Sequence, residues 1–183
     1  MVALALSFLP GRGMAEEGVA PARLAIVVTR VLGYDEALSS RVGSDFVLGV
    51  LFKKGNPASE RAAQEALKAW KPIEALTIVG RPFRAIAAPF TGGAAFEALI
   101  DKERVDAAFL CEGLDGDIAA ITQITRKRKV LSVGSQEAQV KAGVSLAVVP
   151  DNGKLQIVLN LPRSREEGAA FSLDLLRVAR VLK

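Results

Sequence analysis

The sequence contains no histidine and a single cysteine, Cys111. Without histidine, Ser-His-Asp and Cys-His nucleophile arrangements, histidine general bases and histidine-containing zinc sites are all excluded. One cysteine cannot form an intrachain disulfide. Carboxylates such as Glu112, Asp115 and Asp117 remain for catalysis, but no acid and base among them can be paired by spacing. The sequence therefore predicts that the protein is not an enzyme and has no cofactor or metal site.

Excess charge and aromatic side chains are also scarce. The chain has 24 basic and 20 acidic residues, a net charge of +4, and aromatic residues make up 5% of it. Nucleic-acid-binding proteins concentrate positive charge in a patch, and many stack bases on aromatic rings. This composition predicts no nucleic-acid partner.

The N-terminus has features of a cleaved leader. Residues 2–9 are apolar, and small residues follow at Gly13 and Ala15. No basic residue precedes the apolar run, so two alternatives stay open: the true start lies upstream, or the segment belongs to the folded protein. No later stretch reaches the roughly 18 apolar residues of a membrane span. The sequence predicts a signal peptide at 1–15, a single domain at 16–183, and an exported protein that does not span a membrane.

The middle of the chain alternates strand and helix patterns. Short apolar runs at residues 46–52, 105–111 and 130–133 predict strands buried on both faces. The segment at residues 22–34 has apolar residues at helical spacing and is predicted as a helix, although its β-branched content would also suit a buried strand. The alternation favours a parallel sheet covered by helices on both faces.

Polar residues mark where two of these helices begin. Asn56 precedes Pro57, the combination of a capping side chain and a first-turn proline. Asp115 or Asp117 is expected to cap the helix that ends in the basic run at residues 126–129.

The last third of the chain changes pattern. Asn152-Gly153 between two apolar runs predicts an antiparallel hairpin. Ser164-x-x-Glu167 has the spacing of a capping box, and the residues after it predict a terminal helix. The fold class is therefore predicted as α/β: a mainly parallel sheet with helices on both faces, ending in an antiparallel hairpin and a C-terminal helix. The apolar face of the terminal helix is expected to carry Phe171, Leu175, Val178, Ala179 and Leu182.

These C-terminal motifs resemble a known family. Residues 143–161 contain a glycine, an apolar strand, a tight turn and a strand ending in Asn160-Leu161, and a Ser-x-x-Leu-Leu-x-x-Ala pattern follows at residues 172–179. This arrangement is similar to the C-terminal half of the YfiR-like family of exported bacterial proteins. The Gly80-Arg81-Pro82 turn and the strands around it lie in the order of that family, so the resemblance covers about residues 20–183.

The resemblance implies a periplasmic regulator that acts through protein contact. In the best-known members the exported protein holds a membrane-anchored diguanylate cyclase inactive, which lowers cyclic-di-GMP and biofilm formation. The partner implied here is an inner-membrane diguanylate cyclase or a histidine kinase. Leu173 and Leu176 lie off the main stripe of the terminal helix and could form a partner face or a homodimer. The paired cysteines of some members are absent, because Cys111 is alone, and the Trp-Pro step after the first helix is missing.

Polar side chains at the carboxyl ends of the predicted parallel strands support a second hypothesis, that the chain is an envelope protein that binds a small ligand in a cleft at these strand ends. Ligands bind beyond these ends in open α/β sheets. The alternative is that they are loop residues and helix caps. The candidate ligand-binding residues are Lys53, Asn56, Glu112, Ser135 and Gln136.

The basic run offers a candidate partner surface. It consists of Arg126, Lys127, Arg128 and Lys129. Such a run could face an acidic partner or anionic lipid, but cations at a helix C-terminus also complement the helix dipole. Cys111, at a strand end, is expected to be a small core residue rather than a reactive thiol.

Overall fold

The computed structural model describes residues 21–182, and these residues form one eight-stranded sheet. The predicted signal peptide at residues 1–15 lies outside the described residues. The strands are β1 (Phe46–Lys53), β2 (Thr77–Ile78), β3 (Arg81–Phe90), β4 (Ala107–Leu110), β5 (Leu131–Gly134), β6 (Leu146–Asp151), β7 (Lys154–Asn160) and β8 (Arg180–Leu182). The helices are α1 (Pro21–Leu32), α2 (Leu38–Arg41), α3 (Pro57–Trp70), α4 (Gly93–Glu103), α5 (Ile118–Arg128), α6 (Glu137–Lys141), α7 (Leu161–Glu166) and α8 (Leu173–Val178). Short 3-10 turns cover Lys71–Ala75 and Asp115–Asp117.

The sheet is mainly parallel, with order β2-β3-β1-β4-β5-β6-β7-β8. Strands β3, β1, β4, β5 and β6 run parallel, β7 is antiparallel to β6, and β8 is parallel to β7. The predicted α/β class, with its parallel sheet and late antiparallel hairpin, is confirmed. Within residues 21–182, no helix is long and apolar enough to cross a membrane.

Alternate residues of β1 bury against helices on opposite faces of the sheet. Leu48 packs in a cluster with α1, α3 and α8, whereas Leu51 packs in a cluster with α4 and α5. Both side chains are fully buried. Because both faces are covered, the strand is apolar along its length rather than alternating, as the sequence indicated.

The β6–β7 connection is the predicted tight turn. Asn152 and Gly153 have φ angles of 47° and 73°, and Asp151 pairs with Lys154 on either side of them. Two successive left-handed residues are what a type I′ hairpin requires, and Asn-Gly meets that requirement at low cost.

The C-terminal helix is shorter than its apolar stripe suggested. It begins after Ser172, whose side chain accepts a hydrogen bond from the Leu175 N–H at 3.5 Å, and it ends at Val178. The chain then extends as β8 and pairs with β7. Pairing with β7 gives the backbone N–H and C=O groups of β8 hydrogen-bond partners, as a further helical turn would have done. The spacing of apolar residues therefore does not show whether this stretch becomes helix or strand.

The predicted capping box at Ser164 and Glu167 is wrong. Ser164 lies inside α7 and donates to the Leu161 carbonyl at 2.9 Å. The cap is instead Asn160, whose side chain accepts from the Arg163 N–H at 3.3 Å. Glu167 lies one residue beyond α7 and turns into the core.

Glu167 ties together three elements at the amino ends of the strands. Its fully buried carboxylate accepts from the Thr125 hydroxyl at 2.5 Å, the Ser132 N–H at 2.7 Å, the Ser132 hydroxyl at 2.8 Å and the Ser145 hydroxyl. Burial raises the pKa of this carboxyl, and the hydrogen bonds oppose that rise. The carboxylate thereby joins the end of α5 to the starts of β5 and β6.

One edge of the sheet is only partly covered. The short β2 pairs with Arg81 and Pro82, the first two residues of β3. Further along β3, the Ala85 N–H donates to the Glu74 carboxylate at 3.2 Å. A side chain thus replaces a strand partner at that position.

Candidate functional site

The strand order places the predicted site at a reversal of the sheet. From β1 the chain moves to β3 on one side and later to β4 on the other. The carboxyl ends of β1 and β4 therefore flank a switch point, where open α/β sheets bind ligands. Lys53 and Asn56 follow β1, Glu112 follows β4, and Ser135 and Gln136 follow β5.

Lys53 and Asn56 are engaged in local structure. The Lys53 ammonium lies 2.6 Å from Asp117 Oδ2. Asn56 Oδ1 accepts from the N–H groups of Ala58 and Ser59 at 3.1 and 3.2 Å. The predicted cap of α3 by Asn56 is confirmed. Neither Asp115 nor Asp117 caps α5 through its side chain, because the Asp117 carboxylate binds Lys53 instead.

Ser59 joins the two loops that flank the switch point. This buried hydroxyl accepts from the Lys53 N–H at 2.9 Å and donates to the Glu112 carbonyl at 2.5 Å. Gly113 packs beside it with φ of 83°, where a Cβ would lie 2.9 Å from Asn56 Nδ2. The loops after β1 and β4 are thus fastened to each other, and little space remains between them.

The other three candidate residues line a cleft beneath two helices. Glu112, Ser135 and Gln136 border a cavity of about 310 Å³ at the carboxyl ends of β4 and β5. The remaining wall is mostly apolar and comes from α1, α3 and the ends of the strands. It comprises Pro21, Leu24, Ala25, Ala62, Glu65, Ala66, Ala69, Trp70, Phe109 and Cys111.

Gln139, which sequence reasoning missed, holds this polar rim. Its side-chain carbonyl accepts from the Ser135 and Gln136 N–H groups at 2.7 and 3.2 Å, and its amide donates to the Cys111 carbonyl at 3.2 Å. Gln139 is fully buried. The bonds to Ser135 and Gln136 are local, and Gln136-x-x-Gln139 forms a capping box. The bond that joins the two strand ends has no signature in local spacing, because its partner lies 28 residues away.

Trp70 forms part of the apolar wall. Its ring packs edge-on against Phe109, with 4.8 Å between centroids. The residue is 1% exposed, and its indole nitrogen is buried without a hydrogen-bond partner among residues 21–182. Buried indole N–H groups are normally paired, so this donor is unusual.

Cys111 is a buried wall residue. It is 1% exposed. Burial, with a smaller effect from the Glu112 carboxylate, raises the pKa of its thiol to about 12. Its placement agrees with the expected core role.

The basic run at the end of α5 is paired with acids on a neighbouring helix. The Lys127 ammonium lies 2.8 Å from Glu97 Oε1, and Arg128 Nη2 lies 2.9 Å from Asp101 Oδ2. Both acids lie on α4. Part of the positive charge that the sequence displays is therefore compensated within the fold.

The other two cations of the run contact α7. Arg126 Nε lies 3.7 Å from Glu166 Oε2, and the Lys129 ammonium donates to the Glu166 backbone carbonyl at 2.8 Å. Lys129 has no carboxylate partner within 4 Å in the described part of the chain.

Apolar side chains are exposed around α8. Leu173 and Val178 are 70% and 64% exposed, whereas Leu176 packs partly against the core. Leu173 therefore stays available for the predicted homodimer contact, which remains a prediction.

Catalytic groups do not gather at these sites. Among residues 21–182, no group of three or more histidine, cysteine, aspartate or glutamate side chains could hold a metal ion. The carboxylate of Asp117 is bound to Lys53, and Glu112 and Asp115 lie exposed in the connection between β4 and α5.

Comparisons with known proteins place these features in context. A family model described as YfiR/HmsC-like matches residues 71–180. No curated protein matches the chain.

Several solved structures share the fold. The ABC domain in complex with L-Trp from Streptococcus pneumonia aligns with TM-score 0.63 and 14% identity, over 89% of this chain and 60% of that one. A conserved domain protein from Vibrio cholerae O1 biovar El Tor aligns with TM-score 0.64 and 12% identity, over the same shares. A ligand-free, open substrate-binding protein with adhesive properties from Clostridium difficile aligns with TM-score 0.57 and 12% identity, over 81% and 58%. The chain thus spans about three fifths of their length, and identities this low show the fold alone.

Proposed function

Because this chain belongs to the YfiR/HmsC-like family, we propose that it is an exported regulator that binds and restrains a signalling protein of the inner membrane. A diguanylate cyclase is the first partner to test, and a histidine kinase is the second. The match over residues 71–180 carries this proposal, since it spans β2 to the start of β8. The proposed mature protein begins after residue 15 and acts in the periplasm without catalysis.

We include the basic run Arg126–Lys129 in the proposed contact surface. Side chains of Lys127 and Lys129 are exposed at the end of α5. An acidic partner surface would have to replace Glu97 as the partner of Lys127. Because the contact would depend on exposed charges, salt would weaken it. The internal ion pairs make this surface a weaker candidate than its charge alone would indicate.

Crosslinking in living cells tests the regulator proposal. A tagged full-length chain would be crosslinked and purified, and the recovered proteins and the chain's own N-terminus identified by mass spectrometry. We expect a membrane diguanylate cyclase, a mature chain that begins near Glu16, and a rise in cellular cyclic-di-GMP when the gene is deleted. An intact N-terminus, cytosolic partners and unchanged cyclic-di-GMP would reject the proposal.

A charge-matched pair of variants tests the contact surface. The first variant replaces all four residues of the basic run by glutamine. The control replaces four exposed cations elsewhere by glutamine: Lys54, Arg61, Lys68 and Lys154. We expect only the first to weaken binding to the captured partner, with both variants folded by circular dichroism. Equal binding by the two variants would remove the run from the contact surface.

The cleft supports a second candidate function, the binding of a small molecule. The specific observation is the buried, unpaired indole N–H of Trp70 in the wall of a mostly apolar cavity. A ligand with an apolar body and a hydrogen-bond acceptor would satisfy that donor after a small adjustment of the wall. Two of the similar folds, a domain in complex with L-Trp and a substrate-binding protein, belong to longer chains and are consistent with this use.

Thermal shift across a metabolite library tests the cleft. A true ligand raises the melting temperature in a saturable way that follows its concentration relative to Kd. Ala66→Leu should fill the cleft and remove that shift, whereas Ala98→Leu on the exposed side of α4 should leave it intact. Trp70→Phe removes the indole N–H but keeps an aromatic ring in the wall, so it should weaken binding of the same ligand without abolishing it. A flat response across the library, or equal loss in both alanine variants, would reject the cleft.

A further inference from the structure

A second cavity lies at the amino ends of the parallel strands, opposite the cleft. Its volume is about 430 Å³. Four cations and one carboxylate line it, together with glycine and aliphatic side chains. The lining residues are Arg41, Gly43, Ile100, Arg104, Val105, Asp106, Arg128 and Lys129.

Two of the cations hold backbone positions that ordinarily favour glycine. Arg104 ends α4 with φ of 54°, and Lys129 ends α5 with φ of 57°. Left-handed backbone is unfavourable for a residue with a Cβ, and helices that end this way usually use glycine. A cation there does complement the helix dipole. Two such ends open onto one cavity, so both charges are concentrated in the same place.

The four cations differ in how they are compensated. Arg41 pairs with Asp35 and also donates from Nη1 to the Lys129 carbonyl at 3.0 Å. Arg128 pairs with Asp101 at 2.9 Å. Arg104 and Lys129, in contrast, make no ion pair with a carboxylate of residues 21–182. Two of the four positive charges therefore have no carboxylate partner among the described residues, although the Lys129 ammonium donates to the Glu166 backbone carbonyl.

Both paired arginines also retain an unused donor. The Nε atoms of Arg41 and Arg128 are buried and have no hydrogen-bond partner among the described residues. The stems of Arg41 and Lys129 both pass close to Gly168, since a Cβ there would lie 3.4 Å from Arg41 Cδ and 3.5 Å from Lys129 Cδ. The guanidinium groups are held by their ion pairs, and one buried donor of each has no acceptor among residues 21–182.

The Asp106 carboxylate is the negatively charged group in the cavity lining, and its charge repels an anion. Its Oδ2 accepts from the Val47 N–H at 2.8 Å, so the carboxylate is directed by the sheet. Burial raises the pKa of this carboxyl to about 6, partly offset by that hydrogen bond and by the Arg41 charge. Its negative charge is therefore weaker than that of an exposed aspartate near and below that pH.

We propose that this cavity binds the phosphate group of a small molecule. The lining contains four cations and one carboxylate, and Arg104 and Lys129 have no carboxylate partner among residues 21–182. Arginine donors match the oxygens of a phosphate. The volume exceeds that of inorganic phosphate and lies in the range of small-molecule sites. The cavity shares Arg128 and Lys129 with the proposed partner contact surface, whereas Arg41 and Arg104 belong to neither that surface nor the cleft.

Calorimetric titration of the purified full chain with inorganic phosphate tests the site. Sulfate and chloride at equal ionic strength show whether binding is more than screening of charge. We expect saturable phosphate binding, and tighter binding of glycerol phosphate if the natural ligand is a phosphate ester. In an NMR spectrum, the Nε–H signals of Arg41 and Arg128 should shift during the titration.

Glycine substitutions remove the charge without straining the fold. The double variant Arg104→Gly/Lys129→Gly relieves left-handed backbone, so it should remain folded while losing at least tenfold in phosphate affinity. The control Arg61→Gln/Lys68→Gln removes the same charge from exposed positions on α3 and should bind as the wild type does. No saturable binding, equal binding of chloride, or equal loss in both variants would overturn the proposal. Since no membrane partner is present, the outcome is independent of the regulator proposal.

Discussion

The two ends of the parallel strands differ in how the chain uses its polar groups. At the carboxyl ends, Lys53, Asn56 and Ser59 fasten loops to each other, and the cleft that remains is mostly apolar. At the amino ends, a cavity is lined by four cations, and a buried carboxylate, Glu167, lies nearby. Polar residues beside a switch point can thus be bound within the fold itself, while uncompensated positive charge lies at the opposite ends of the strands.

The largest effect should appear in the reactivity of Cys111. Its pKa is raised from 9.0 to about 12, which lowers the thiolate fraction about a thousandfold, since each pKa unit is a tenfold change. The native chain should therefore react with a thiol reagent at pH 8 at least that much more slowly than the chain in urea. Similar rates in the two conditions would show that the cleft wall opens readily.

The amino end should lose most stability from Glu167→Ala. The change leaves three hydroxyls and the Ser132 N–H without their shared acceptor, and buried unsatisfied donors cost about 1–3 kcal/mol each before relaxation. We expect a loss of about 3 kcal/mol or more in urea unfolding. The neighbouring exposed Glu166→Ala should cost less than about 1 kcal/mol, since it removes surface ion pairs. A small loss in both variants would mean that the buried cluster contributes little.

At the carboxyl end, Asn56→Ala should have an intermediate effect. Removing the cap of α3 should destabilise the chain by about 1 kcal/mol, without changing any ligand shift measured in the cleft. Asn56→Asp retains an acceptor for the Ala58 and Ser59 N–H groups and should recover most of the stability. Loss of ligand binding in the alanine variant would return Asn56 to the site.

The smallest effect should be the pH dependence from Asp106. Its folded pKa of about 6 lies above the ordinary 3.8, so between these values the folded state holds more protons than the unfolded state. Stability from this group therefore rises as pH falls from 7.5 to 5, by less than about 1 kcal/mol because the group is partly exposed. The difference in melting temperature between wild type and Asp106→Asn should shift in favour of wild type as pH falls from 7.5 to 5. A constant gap would contradict the raised pKa.

Local patterns were sufficient to predict the strands, the hairpin and one helix cap. The apolar runs of β1 and β5, the Asn152-Gly153 turn and the cap by Asn56 depend on neighbours in sequence, so each could be predicted from the sequence. The order of the strands, and hence which loops meet, was not predicted, because strand pairing joins segments that are far apart in the sequence.

The contacts that the sequence did not predict share a physical cause. Glu167 and Gln139 each bind partners more than 20 residues away, and spacing within a segment carries no record of such contacts. The same holds for the basic run, whose acids on α4 lie 27 and 30 residues distant. The stretch Arg180–Leu182 became a strand because β7 offers it backbone partners, which a helical stripe in the sequence does not show.

The partly covered edge of β3 has a consequence for self-association. Unpaired edge strands invite the addition of further strands and aggregation. Here the Ala85 N–H is taken by Glu74, and Pro89, which points its nitrogen to the same side four residues later, has no N–H to offer. Between them only the Ala87 N–H remains as an outward donor, so over residues 85–89 an incoming strand would find one backbone donor instead of three, which disfavours strand addition at this edge.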